Sequence, residues 1–247
     1  MNFTPRSLSP ARAGWGGALY AASIAQYFLV QVITASAWTT PFNWSTNVIS
    51  DLGNTACGEF AVHGPTAWVC SPLHNLMNAS FVLTGILTII GTILLWGLWP
   101  KRRMVTVALV LLIIAGVGKI MVGLVPEDAN AALHTLGATN LTLGSVAIVL
   151  LSISIYRQNR VLAITGLIAS LVGIAGGGFF ATAQYIGPSA TLGLGLGGIE
   201  RVAGYPANLW ILLIGILTIR AALADSTRNA HGSNTELGAQ VVGQQQS

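Results

Sequence analysis

Charge is scarce in this 247-residue sequence. Only 7% of its residues are Asp, Glu, Lys or Arg, against about 25% in an ordinary soluble domain, and 53% are hydrophobic. A soluble core of this length needs a charged surface around it, so a water-soluble globule is excluded and lipid is the solvent that suits the composition. Lysine occurs only at Lys101 and Lys119, beside nine arginines and abundant Ala and Gly, a pattern that fits GC-rich bacterial coding. The net charge of +4 is not gathered into a basic stripe with interleaved aromatics, which argues against a nucleic-acid partner. No H-x-x-x-H, H-E-x-x-H, C-x-x-C or phosphate-binding P-loop pattern is present, so locally encoded zinc and nucleotide sites are not expected. Nothing in the composition marks a second domain.

What the sequence has instead is six long apolar runs, near residues 14–37, 73–97, 104–125, 133–155, 161–184 and 205–222. Runs of about 18–25 residues cross roughly 30 Å of hydrocarbon at about 1.5 Å per residue. They are continuously apolar rather than alternating, and a helix satisfies its own backbone groups in lipid. The expected fold is all-α: a six-transmembrane-helix bundle of three helical hairpins over residues 14–222. A short segment, 1–13, precedes it, and a polar tail, 223–247, is expected to be disordered.

The basic residues orient the bundle. Arg6, Arg12, Lys101, Arg102, Arg103, Arg157, Arg160, Arg220 and Arg228 all fall on one side, which the positive-inside rule makes cytoplasmic. Both termini are then expected inside the cell inner (plasma) membrane, while Asp51, Glu59, Glu127, Asp128 and Glu200 face out. Ala35-Ser36-Ala37 resembles a signal-peptidase site, but the run before it is longer than a signal core of about 7–15 residues.

Chemistry-bearing residues concentrate at the outer end. The first connection carries Asn47-Val48-Ile49-Ser50-Asp51-Leu52-Gly53, expected as a short helix from Trp44 to Leu52 capped by Gly53, with Asn47 and Asp51 on one face. The alternative is that these polar residues only cap a turn. Cys57 and Cys70 lie in the same connection. A disulfide there would close a loop of about 14 residues, worth roughly 3 kcal/mol in the chain-entropy account, and two free thiols are the alternative. Ser71-Pro72 reads as the cap and first residue of the second span, which places His74 and Asn78 one turn apart on one face. Pro126-Glu127-Asp128 leads to His134 at the start of the fourth span, with Asp128 expected as its cap.

Asp51, His74 and His134 are the candidate catalytic groups, with Ser50 a weaker candidate nucleophile beside an Asp–His base. His63, His74 and His134, with Asp51 or Glu127, are also candidate ligands for a divalent metal such as zinc, against a plain interfacial hydrogen-bonding role for each His. Lys119 lies within the third span, where a charge costs about 2.5–3.5 kcal/mol on the insertion scale. It either snorkels outward or pairs with Asp51 or Glu200. Lys119, Arg201, Glu127 and Asn78 are the candidate substrate-binding residues, with Lys119 or Arg201 holding an anionic headgroup. Gly187-Pro188 and the glycines at 193, 195, 197 and 198 read as a pliable connection, and Gly176-Gly177-Gly178 as a break in the fifth span.

The Asn47–Gly53 segment, Pro126-Glu127-Asp128 with His134, and Gly197-Gly198-Ile199-Glu200-Arg201 resemble a bacterial six-span family catalogued as domain of unknown function 998. The resemblance covers roughly residues 14–222 and implies an integral membrane protein without an assigned reaction. A fainter likeness links the Ile-Ser-Asp segment, Pro-Glu and His134 to the eukaryotic DRAM-like group, which implies lipid remodelling or membrane regulation. The longer Pro41-to-Ser50 spacing departs from that pattern and weakens the transfer to Asp51 and His134. Three readings follow: a lipid-handling protein or lipid-modifying hydrolase with membrane lipids as partners, a small-solute transporter or channel, and a non-catalytic scaffold or regulator.

Overall fold

The structure is a computed structural model that describes residues 8–60 and 67–244; for Ala67, Pro188 and residues 229–244 it describes the backbone alone. Six spans are present. Helix α1 runs Pro10–Ser36, α2 His74–Leu94 and α3 Arg103–Leu124. The fourth span is divided into α4, Ala131–Ala138, and α5, Asn140–Ile155. Helix α6 runs Arg160–Ile186 and α7 Gly195–Gln244. Each span packs on the next, and α7 returns to α1, so the spans close a ring in chain order.

The spans start where their ends can be satisfied. Ser9 caps α1, accepting from Arg12 N at 3.3 Å, with Pro10 in the first turn. Arg12 then reaches across to donate to Leu94 O and Ile93 O, both at 3.1 Å, which satisfies free carbonyls at the end of α2. The Ala35-Ser36-Ala37 segment forms the last turn and cap of α1, a helix held between α2 and α7.

Small residues set the helix crossings. A Cβ on Gly17 would lie 2.7 Å from Gly215 O, and one on Gly215 would lie 2.7 Å from Gly17 O, so α1 and α7 touch backbone to backbone. In lipid, where apolar side chains gain little by leaving their solvent, such close approach is a main source of association. The apolar side chains left uncovered, such as Ile168 and Val117 at 59% and 54% exposure, form the surface offered to lipid. Inside, one core gathers Tyr20, Leu109, Ile148 and Trp210 toward the end carrying Trp99. A second gathers Tyr27, Leu52, Met77 and Phe81 toward the end that carries the long first connection, called the looped end below.

Several boundaries differ from those expected. The fourth span bends at Thr139, where Thr139 Oγ1 donates to Leu136 O at 2.7 Å and Asn140 Nδ2 to Gly137 O at 2.8 Å. Side chains that occupy helix carbonyls in this way compete with the backbone ladder. Gly176-Gly177-Gly178 does not break the fifth span. Gly176 is needed where α6 meets the backbone of Val202 and Ala203, and a helix in a bundle tolerates such residues. Helix α7 begins ten residues before the expected start at 205, includes Pro206, and takes the glycines from 195 to 198 into its first turn. Past the membrane run it continues as helix to Gln244.

Gly17→Leu is expected to destabilise the detergent-solubilised protein by about 1–3 kcal/mol through overpacking. Gly178, whose Cβ would meet nothing within 4 Å, tests the contrast. Gly178→Ala is expected to stabilise by up to about 1 kcal/mol through helix propensity. Thermal unfolding of both variants measures this, and an unchanged Gly17→Leu midpoint would contradict the close crossing.

Candidate functional site

The looped end is organised by one charged pair on α7. Arg201 is 9% exposed, and its Nη1 donates to Trp44 O at 2.9 Å, Asn47 O at 2.8 Å and Gly197 O at 2.7 Å. Its guanidinium also lies 4.9 Å from the Trp44 ring centre and 5.6 Å from that of Phe42. Next to it, the Glu200 carboxylate accepts a short hydrogen bond from Ile49 N. Gly198 N donates to Ser45 O at 2.9 Å, and Gly195, at φ 74°, leaves room for the Ser45 backbone that a Cβ would strike. The first connection is therefore seated on the start of α7. Arg201, expected to hold an anionic headgroup, and Glu200 are both buried and bound to backbone.

That seating fixes the segment carrying Ser50 and Asp51. The expected helix from Trp44 to Leu52 is replaced by a turn and a 3-10 helix, Ser50–Gly53, because Arg201 draws the carbonyls of Trp44 and Asn47 out of a helical ladder. The expected contact survives within it. Asp51 Oδ2 accepts from Asn47 Nδ2 at 3.1 Å and from Val48 N at 3.0 Å. Gly53 does not cap a helix; its carbonyl accepts from Asn78 Nδ2 at 2.8 Å, and a Cβ there would strike Asn78 Oδ1.

Ser50 meets His134 across the bundle, with Oγ 3.0 Å from Nε2. The other ring nitrogen, Nδ1, is 2.8 Å from Val125 O. A carbonyl only accepts, so Nδ1 carries the proton there, and in the neutral ring Nε2 accepts from the Ser50 hydroxyl. His134 is placed by α4, whose cap is Asn130, accepting from Leu133 N at 3.0 Å. Asp128 is not that cap. Its Oδ2 accepts from Thr55 N, Thr55 Oγ1 and Ala56 N, each at 2.8 Å, and ties the first connection to the third.

Ser50 and His134 open on a cavity of about 210 Å³. Asp51, Glu127 and Glu200 line it, all less than 10% exposed. Its apolar wall includes Leu141, Phe180, Leu196 and, from a two-stranded hairpin, Phe60 and Val69. The hairpin pairs β1, Gly58–Phe60, with β2, Ala67–Val69, and the Cys57–Cys70 disulfide closes its base. Burial raises the Asp51 carboxyl from 3.8 to about 6, with the Asn47 hydrogen bond acting against it and the nearby Glu127 charge adding to it.

The remaining candidates lie elsewhere. Ser71 does not cap α2, since its hydroxyl donates to Leu52 O at 2.7 Å. His74 Nδ1 sits 2.8 Å from Ser71 O, and neither His74 nor Asn78 lines the cavity. Lys119 does not reach it either. Its Nζ lies 4.3 Å from the Tyr27 ring centre, and the residue lines a separate cavity deeper in the bundle. No ion pair joins it to Asp51 or Glu200 among the described residues, although the Glu200 charge acts on it. His63 lies outside the described residues. Among those described, no three His, Cys, Asp or Glu side chains gather to hold a metal, so Asp51, His74 and His134 do not form the ligand set considered for zinc. Thr135, Thr139 and Thr142, which also line the cavity, went unrecognised in the sequence, though their spacing of four and then three residues is the signature of one helix face.

A ring of six apolar spans with a buried polar cavity at one end defines a multi-pass helical membrane protein. The chain belongs to the family described as protein of unknown function DUF998, whose model matches residues 20–217. No curated protein and no solved structure matches it.

The raised Asp51 carboxyl carries a pH signature. Folding holds its proton more tightly than the unfolded chain does, so its contribution is fully present below pH 3.8 and is lost as pH rises through about 6. The expected loss is about 3 kcal/mol, since each tenfold change in proton affinity is worth about 1.4 kcal/mol. Asp51→Asn is expected to remove this slope, and unfolding midpoints of both proteins between pH 3.5 and 7 in roughly half-unit steps would reveal it. Parallel profiles would show that Asp51 is not buried as described.

Proposed function

We propose that this protein is a membrane-embedded serine hydrolase or acyltransferase acting on lipid esters, with Ser50 as nucleophile and His134 as general base. The observation that carries the reading is the Ser50 Oγ–His134 Nε2 contact at 3.0 Å with Nδ1 held on Val125 O. Nucleophile, base and orienting acceptor are the three parts such chemistry needs. Ser50 Oγ attacks the ester carbonyl as its proton passes to Nε2. The imidazolium then returns that proton to the departing alkoxide, leaving the acyl group on Ser50. Water, or a second alcohol, releases the acyl group with His134 again as base. Val125 O holds the ring throughout.

The cavity supports a lipid substrate by position and lining. Ser50 sits at the end of the spans, where a lipid ester would lie, and Phe180 and Leu141 offer an apolar wall to a chain. The distribution of Arg and Lys supports placing this end at the outer leaflet with both termini inside. An anionic headgroup is disfavoured, because Asp51, Glu127 and Glu200 line the cavity while Arg201 and Lys119 do not.

A fluorophosphonate probe applied to membranes containing the full chain tests the reading. Ser50 is expected to carry the adduct by mass spectrometry. Ser50→Ala and His134→Gln are expected to lose labelling and, for ester turnover, about 10²–10⁴-fold in rate, with unfolding midpoints near that of the unaltered protein. Equal labelling of Ser50→Ala, or no adduct in the unaltered protein, would overturn it.

A further inference from the structure

A second cavity, of about 50 Å³, lies on the axis of the ring below Ser50 and His134. Five of the six spans contribute to it: Ile24 from α1, Thr88 from α2, Lys119 from α3, Asn140 and Leu141 from the fourth span, and Asn208 from α7. Leu141 also lines the outer cavity, so its side chain stands between the two. The walls are otherwise largely apolar, with Leu112, Ile148 and Ile211 among them.

Two of the lining residues, Lys119 and Asn208, carry hydrogen-bond donors with no acceptor among the described residues. Lys119 is 7% exposed and contacts the Tyr27 ring face, at 4.3 Å. Among the described residues the one ion pair joins Arg228 to Asp225, so no carboxylate neutralises Lys119 at contact distance. Asn208 Nδ2 is fully buried and likewise has no acceptor among them. The other polar groups are already engaged: Thr84 Oγ1 donates to Ser80 O at 2.7 Å, Thr88 Oγ1 shares a hydrogen bond with Ser23 at 3.0 Å, and Asn140 Nδ2 donates to Gly137 O.

We propose that Lys119 and Asn208 form an intramembrane binding site for one small monovalent inorganic anion of the chloride class. An ammonium buried in apolar surroundings costs several kcal/mol unless its charge is paired. Glu200 acts on Lys119 only at a distance, and its carboxylate is held by Ile49 N. An anion in the cavity supplies the missing partner and accepts from Asn208 as well. Size and lining select the ligand. About 10–15 Å³ of such volume suffices for one water, so 50 Å³ admits an ion of halide size and has no room for a long-chain organic acid. A weakly hydrated monovalent ion loses least on entering a cavity with two donors and apolar walls. The site is independent of Ser50 and His134, which belong to the cavity above.

The test uses the full purified chain in detergent. Thermal unfolding is followed while chloride replaces gluconate at constant ionic strength and pH, and bromide is soaked into crystals for anomalous diffraction. The unaltered protein is expected to show a saturable rise in midpoint with chloride, and a bromide peak within about 3.5 Å of Lys119 Nζ. Lys119→Met is expected to abolish the saturable rise, and Asn208→Leu to weaken apparent affinity about tenfold. If Lys119→Met does not fold, the bromide peak in the unaltered protein decides alone. No saturable rise, the same rise in Lys119→Met, or a cavity containing only water would overturn the proposal.

Discussion

The looped end of this protein depends on one buried guanidinium. Arg201 holds three backbone carbonyls with a single nitrogen, two of them from the first connection, and lies against the Phe42 and Trp44 rings. Hydrogen bonds to a charged donor contribute about 1.5–3 kcal/mol each, and more is lost when a buried charge is left without partners. Glu200 adds the complementary hold on Ile49 N. Together they seat a connection that has little regular structure of its own, and through it they set where Ser50 and Asp51 stand. Without that seat, Ser50 would have no fixed distance to His134.

His134 comes to the same point by a different route. Its helix ends at Ala138, at the bend where Thr139 and Asn140 occupy the carbonyls of Leu136 and Gly137. The close approach of Gly118 and Gly137, where a Cβ on either would meet the other's carbonyl oxygen within 3 Å, holds this bend against α3. Val125, at the end of α3, then turns its carbonyl to His134 Nδ1. The serine is placed by charge and the histidine by packing of small residues.

Much of this was legible in the chain. Apolar runs of spanning length, and the gathering of acids and histidines in alternate connections, located the bundle and the end at which to look. The Asn47–Asp51 contact followed from spacing alone, and it persists in a turn that is not the expected helix. The roles within the site were far less legible. Asp128 and Ser71 have the side chains of helix caps, yet both are used by backbone groups of other segments. His74 opens a span as His134 does, but faces its own preceding carbonyl rather than the cavity. A single chain shows which groups can bond, and many segments compete for each.

The sequence by itself determined the solvent, the number of spans and the end of the molecule where polar chemistry is concentrated, because lipid forces long apolar helices and excludes unpaired charge. Only the tertiary structure decided which polar groups meet. It set Ser50 against His134, turned Arg201 inward to backbone, and left Lys119 over Tyr27 in a cavity of its own. The physical reason is that a hydrogen bond or a charge contact is fixed within a few tenths of an ångström by helix crossings and loop seating. Those distances arise from packing between segments far apart in the chain.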